Sequence, residues 1–321
     1  MPSEFLRPMS DLLVEAERGG YAVGAFNCST LEQVAAVVEV ANREHSPVIV
    51  QMIAGVGTLP DAIMWPLARS VVEATAQVPV ALHLDHGRTY EDCARAIDCG
   101  FTSVMRDASR DEAGRTPLSL EDNIAETLRV VTLAAGAGVS VEGEVGTVGG
   151  GGEGAGMRGA FDFETTSVED AVHFARTTGV DAMALAVGTS HGAVKFPVGA
   201  QPELRFDLIE QVHRALPEVA LVLHGSSTCP HEDVARVNAH GGRVSPSSGI
   251  TAEDKRRAVA LGMRKINQGT DSNLAWTGAT RAWMGAHRDQ VDPWEVTRAG
   301  MEAMQVAVAR AMEVFGSTNR V

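Results

Sequence analysis

The feature that most constrains this chain is an alternation repeated eight times, in which a short apolar, β-rich run gives way to a segment of helical periodicity. The runs are 21–27 (YAVGAFN), 47–53 (PVIVQMI), 79–86 (PVALHLDH), 102–108 (TSVMRDA), 139–146 (VSVEGEVG), 181–188 (DAMALAVG), 219–225 (VALVLHG) and 264–270 (RKINQGT). Between them lie amphipathic segments such as 31–44, 90–100 and 120–138, the last two ending in glycine as helix C-termini often do. Apolar strands buried on both faces and separated by helices indicate a parallel sheet. Eight such units in about 250 residues predict an α/β fold of the (β/α)8 TIM-barrel type in preference to an open doubly wound sheet. The 321 residues read as one domain over 1–321, with a helical extension from about 272 to 321 built of helices at 272–287 and 293–315.

In such a barrel the C-terminal strand ends form the active-site face, so costly polar groups should collect there. They do. The stretch ALHLDHGRTY, 81–90, sets His83, Asp85 and His86 at the end of an apolar run. A buried carboxylate beside imidazoles is expensive unless paired or bound to a metal. His191 follows the sixth run in AVGTSHG, and His224 ends the seventh in VLHGSS. Three neutral imidazoles from separate strands with an open fourth position make a catalytic zinc site, and cobalt or manganese fits the same donors. Asp85 and His86 are adjacent and point to opposite sides of a regular strand, so both reach the pocket only if the backbone turns, which Gly87 permits. Asp107 and Glu144 end the fourth and fifth runs, with Glu142 two residues earlier. Such carboxylates orient imidazole N–H groups, offer an alternative metal position, or serve acid–base chemistry. His45, His173, His213 and His287 read as surface residues.

The glycine run 146–160 reads either as a connector or as a lid carrying Glu153 into the site. Two loops, GSST at 225–228 and NQGTD at 267–271, look anion-binding, as loops after strands seven and eight of barrels often are. Of the three lysines, Lys255 and Lys265 read as lying on a helix and at a strand start, which leaves Lys195 near the pocket. A metal rather than a Schiff base is therefore the expected electrophile. The formal charge of −14 argues against nucleic acid as a partner. No apolar run approaches membrane-spanning length, and the N-terminus lacks a signal-peptide pattern. Cys28, Cys93, Cys99 and Cys229 show no C-x-x-C spacing and read as reduced thiols of a cytoplasmic protein.

In order and spacing, YAVGAFN, HLDHG, DCGFTSVMRDAS, SVEGEVGTVGG, GVDAMALAVGTSHGAVK, LVLHGSS and GMRKINQGTD resemble the class II, metal-dependent ketose-phosphate aldolases. The resemblance runs from residue 21 to the C-terminal helices. It implies a lyase that reversibly cleaves a ketose 1-phosphate to dihydroxyacetone phosphate and an aldehyde, with Zn2+ on His86, His191 and His224. Asp85 would exchange the proton of the C4 hydroxyl, and zinc would hold the C2 carbonyl and C3 hydroxyl oxygens. Gly192, Gly225, Ser227 and Thr270 would bind the C1 phosphate, with Lys195 and a monovalent cation (Na+ or K+) nearby. Asn267 would contact the enediolate, and Glu153 would be the lid acid. A homodimer or homotetramer is the implied assembly.

The resemblance breaks in one place. Bisphosphate-cleaving members hold the C6 phosphate with a serine at the end of the second strand and an arginine in a DPR motif. Here those positions are Ile53 and Trp294, the latter in DPWEV at 292–296. The aspartate of N-x-D-T-D is Gly269, and HGGSG reads HGSST. Losing such charge-assisted bonds removes on the order of a few kcal/mol from a phosphate site. The expected aldehyde is therefore not ordinary glyceraldehyde 3-phosphate, and Arg88 and Arg106 are candidates to clamp another anion, such as a sulfonate. The alternative is a conventional fructose- or tagatose-1,6-bisphosphate aldolase. A zinc hydrolase would need neither Asn267 nor the 225–228 loop.

Overall fold

The computed structural model describes residues 4–146, 166–190 and 203–321. Among these, α1 (Met9–Gly19) leads into β1 (Val23–Asn27), α2 (Leu31–Arg43), β2 (Val48–Ile53), α3 (Asp61–Thr75) and β3 (Val80–Gly87). There follow α4 (Tyr90–Asp98), β4 (Ser103–Arg106), α5 (Leu120–Ala135), β5 (Ser140–Val145), α6 (Val168–Thr178) and β6 (Ala182–Leu185). The chain ends with α7 (Phe206–Ala215), β7 (Ala220–Leu223), α8 (His231–Ala239), α9 (Ala252–Ala260), β8 (Met263–Gln268), α10 (Thr270–Ala286) and α11 (Pro293–Phe315). The eight strands pair in sequence order, all parallel, and β1 closes on β8 to complete the barrel. Each expected run coincides with one of them, β3 ending one residue after its run and β8 beginning one residue before its own.

Local chemistry sets the helix starts. Thr30, Thr89, Ser119, Ser167 and Thr251 each accept an N–H from the first turn of the helix they precede. Such a cap is typically worth about 1 kcal/mol. Between sheet and helices lies a large apolar layer that includes Trp65, Phe101, Phe174 and Phe315.

Inside the barrel the strand pleat sorts residues by parity. Val23, Ala25, Ile49, Ala81, Met105, Ala182, Ala184 and Val222 form a second, inner cluster with Met9, Leu12, Leu13 and Ala16 of α1. The alternation does not predict α1, which closes the N-terminal end of the barrel. Burying Met9, Leu12 and Leu13 there contributes roughly 1.5–3 kcal/mol each. Moving along the strands, inward positions turn from apolar to polar. On β3 they run Ala81, His83, Asp85, and on β5 Ser140, Glu142, Glu144, all buried.

A second helix, α9, is inserted between β7 and β8, and α10 starts directly after β8 rather than at 272. α11 packs against α2 and α10 and ends at Gly316, whose φ of 75° suits a left-handed C-cap. Among the described residues no helix is long and apolar enough to cross a membrane.

Candidate active site

β3 ends in a distortion that brings two neighbouring side chains to one place. Its pairing with β4 shifts register between Leu84 and Gly87, and His86 itself takes a φ of 48°. The turn expected of Gly87 thus resides in His86, in a left-handed conformation that non-glycine residues rarely adopt. Gly87 is needed for space instead: a Cβ there would lie 2.6 Å from the carbonyl oxygen of Met105 and 2.8 Å from Cys93 Sγ.

Asp85 is buried and accepts from three amides. Asn27 Nδ2 (2.8 Å) and Gln51 Nε2 (3.2 Å) donate to Oδ2, and Asn267 Nδ2 (3.3 Å) donates to Oδ1. Burial pushes the carboxyl up, but the fields of His86, His224 and Lys265 and the Asn27 bond outweigh it, so Asp85 lies below the ordinary carboxylate range. The adjacent His86 faces His224 across the barrel, Nε2 to Nδ1 at 3.1 Å, with the rings edge to face.

Each imidazole is oriented from behind by a carboxylate. His86 Nδ1 donates to Asp107 Oδ2 at 2.8 Å, and Asp107 is held in turn by Ser109 Oγ at 2.7 Å. His224 Nε2 donates to Glu142 Oε1 at 2.8 Å. Asn267 Nδ2, 3.1 Å from the same nitrogen, is a packing neighbour, because that nitrogen's hydrogen goes to Glu142. With Nδ1 of one ring and Nε2 of the other so committed, the two facing nitrogens both present lone pairs. Two lone pairs facing one another suit a cation between them. Burial disfavours a charged His86, but Asp85, Asp107 and Glu144 overcome it and hold its pKa at about 10. Burial and the neighbouring His86 keep His224 neutral. The carboxylates behind the two rings favour positive charge at this pair. Asp85, His86 and His224 offer donor atoms within 4.8 Å of one another, as do His86, Asp107 and Glu144. The donor set fits a divalent cation that takes imidazole nitrogen.

The two expected anion-binding loops are fastened together. Asp271 accepts from the backbone N–H of Thr228 (2.9 Å) and of Cys229 (2.7 Å), and Ser226 Oγ donates to the carbonyl of Asn267. Gly225 has a φ of 62°, and a Cβ on it would sit 2.7 Å from the Ser190 carbonyl oxygen. Ser227 is buried in this loop, and Thr270 begins α10, whose N-cap is Gly269 with no side-chain cap. First-turn amides without a side-chain cap suit an anion. Gln51 Oε1 and Asn267 Oδ1 are buried with no hydrogen-bond partner among the described residues.

Several expectations change. Arg106 is buried and points out of the barrel, donating to the Asp107 carbonyl (2.7 Å) and pairing with Glu126 (3.3 Å), so it is no anion clamp. Parity explains this, since its neighbour Met105 faces inward. Arg88 is exposed and lies over Gly114. Ile53 pairs in register with Asp85 and is half-buried, whereas Trp294 is 57% exposed on α11, under Arg298. Lys255 lies on α9 and Lys265 near the start of β8, as expected, but the inference that neither nears the pocket fails. Lys265 is fully buried inside the barrel, 2.6 Å from Glu142 Oε2, and Lys255 is buried with Nζ 2.8 Å from Thr228 Oγ1. Being ion-paired, Lys265 is no free nucleophile. His191, Gly192, Lys195 and Glu153 lie outside the described residues.

Comparison with known proteins adds the following. The family model described as fructose-bisphosphate aldolase class-II matches residues 7–320. A fructose-bisphosphate aldolase of Pseudomonas aeruginosa is 38% identical over 96% of this chain and 90% of its own, and one from a Nostoc species is 38% identical over 97% and 90%. Among solved structures, the YdjI aldolase of Escherichia coli K12 superposes with a TM-score of 0.76 at 27% identity, covering 98% of both chains.

Proposed function

The chain belongs to the class II fructose-bisphosphate aldolase family, a family of lyases, and from that premise we propose that it cleaves a ketose 1-phosphate to dihydroxyacetone phosphate and an aldehyde whose far end is bound in its own way. The observation that carries this reading is the buried Asp85 carboxylate, gripped by Asn27, Gln51 and Asn267 beside the facing pair His86 and His224. A divalent cation, zinc foremost, would be held by His86 and His224 with His191 as third ligand, and would supply Lewis-acid polarisation of the ketose carbonyl when bound.

The remaining chemistry falls to side chains. In the cleavage direction Asp85 takes the C4 hydroxyl proton as the C3–C4 bond breaks, and C4 leaves as the aldehyde carbonyl carbon. The bonding electron pair stays with C3 of the phosphate-bearing fragment, and a proton delivered to C3 completes dihydroxyacetone phosphate. The buried acceptors Gln51 Oε1 and Asn267 Oδ1 suit substrate hydroxyl groups, which bring the donors these atoms lack. The loop at 225–228 and the first turn of α10 are assigned the C1 phosphate. Ile53 presents methyl groups beside Asp85 where a hydroxyl would serve a second phosphate, and Gly269 presents no side chain, which supports an altered aldehyde end. Arg88 remains the candidate for that end. The same reading expects a monovalent cation near the C1 phosphate, a homodimer or homotetramer, and a cytoplasmic setting.

The test is release of dihydroxyacetone phosphate from fructose 1,6-bisphosphate, tagatose 1,6-bisphosphate and ketose 1-phosphates carrying a hydroxyl, carboxylate or sulfonate at C6, each with and without chelator. We expect chelator-sensitive cleavage at least tenfold more efficient with one of the last group. Efficient cleavage of fructose 1,6-bisphosphate would return the protein to the activity its relatives are named for. Absence of chelator-sensitive turnover with every ketose 1-phosphate would end the reading.

A further inference from the structure

The barrel interior holds an ion pair where apolar filling was available. Lys265 of β8 and Glu142 of β5 have fully buried side chains and meet at 2.6 Å; Lys265 pairs in register with Val23 and Val222, and Glu142 with Met105 and Ala182, all of the inner cluster. Buried ion pairs contribute little to stability compared with apolar residues of similar volume. The pair should therefore be judged by what it does to its neighbours.

Those neighbours form a continuous string. An ammonium group only donates, and a carboxylate has two oxygens to share. Lys265 Nζ gives one hydrogen to Glu142 Oε2 and approaches His83 Nε2 at 3.3 Å. His83 is fixed from its other side by Ser103 Oγ at 2.7 Å. With Oε2 pinned, Glu142 turns Oε1 towards His224 Nε2 at 2.8 Å. That bond commits the Nε2 hydrogen of His224 and leaves Nδ1 facing His86. Asp107 does the same for His86, but Asp107 is steadied by Ser109, whereas Glu142 is steadied by a charged lysine.

We propose that Lys265 is a positioning residue for the cation site, holding the Glu142 carboxylate in the one orientation that fixes the tautomer and ring angle of His224. The proposal rests on the reading that His86 and His224 take a divalent cation. Lys265 touches neither cation nor substrate; it acts through Glu142. Removing it frees the carboxylate to rotate, and His224 loses its orienting acceptor. Outer partners of metal-binding histidines typically govern affinity by about 10–100-fold.

The experiment is zinc affinity, by competition with a chromophoric chelator, for the full chain and for Lys265→Met, Lys265→Gln, Glu142→Gln and the Lys265→Met/Glu142→Gln double variant. Melting of each metal-free protein, and the visible spectrum of each cobalt-loaded protein, accompany it. Lys265→Met and Glu142→Gln should each bind zinc about 10–100-fold more weakly. The double variant should be no worse than the weaker single one, because both act through one bond to His224. Lys265→Gln, which keeps a neutral donor and stands in if the methionine variant does not fold, should fall between. The cobalt bands should shift in all of them. A merely structural lysine would lower the melting temperature and leave zinc affinity and cobalt bands as in the wild type, and that result would overturn the proposal. Additive losses in the double variant would overturn it too. A wild-type chain that binds no zinc would remove the underlying reading, and the proposal with it.

Discussion

Replacing Asp85 by asparagine separates proton transfer from everything else the site does. The substitution keeps the shape of a buried side chain and changes one oxygen to NH2. Asn27 and Gln51 both donate to Oδ2, so the new amide keeps its oxygen there and turns NH2 to the Oδ1 side, where it opposes Asn267. One charge-assisted bond is lost, at about 1.5–3 kcal/mol, offset in part by no longer burying a charge. A barrel of this size withstands that, and the variant should fold. Activity is another matter. An amide cannot accept the C4 hydroxyl proton, and general-base catalysis is typically worth about 10²–10⁴-fold, or roughly 3–5.5 kcal/mol of barrier. The assay is dihydroxyacetone phosphate release coupled to its NADH-dependent reduction, with zinc measured on the same samples by elemental analysis. Folded, zinc-loaded Asp85→Asn should lose about 10²–10⁴ in kcat. Wild-type turnover would remove Asp85 from the mechanism. Loss of zinc together with activity would instead make Asp85 a ligand, a position its nearness to His86 and His224 allows.

Two further substitutions address the surroundings. Asp107→Ala removes the acceptor of His86 Nδ1, and zinc affinity by chelator titration should fall about 10–100-fold; unchanged affinity would show that Asp107 does not orient the ring. Gly225→Ala combines a left-handed φ, costing about 1–2 kcal/mol, with a Cβ 2.7 Å from the Ser190 carbonyl oxygen. It should lower the melting temperature and raise KM for the phosphorylated substrate, and a wild-type melting curve with wild-type KM would mean the loop is not so constrained.

The barrel was legible because buried parallel strands announce themselves as apolar runs whatever surrounds them. Helix α1 was not, because its amphipathic pattern names no target; the inner cluster it covers exists only once β8 has closed on β1. The site shows the same division. Asp85, His86, His224 and Asn267 stand out at strand ends, and the structure brings them together. Lys265 reads from the sequence as a strand-start residue away from the pocket, although a contrary signal is there: it lies two residues before Asn267 and so faces the same way, as His83 does before Asp85 and Glu142 before Glu144. The parity argument fails at His86, whose positive φ no residue pattern gives away, and at the start of β8, where the pairing with β7 shifts register.

The pair His86 and His224 also says something about how the protein comes into being. The two residues are 138 positions apart, on β3 and beyond β7, and meet only across a finished barrel. During synthesis the first emerges long before the second exists, so a cation site built on this pair, as proposed, cannot nucleate the early fold. On the proposed reading metal capture is a late event, open to a chain that has already closed, and a truncated or misassembled copy would be recognisable by its failure to take up the ion.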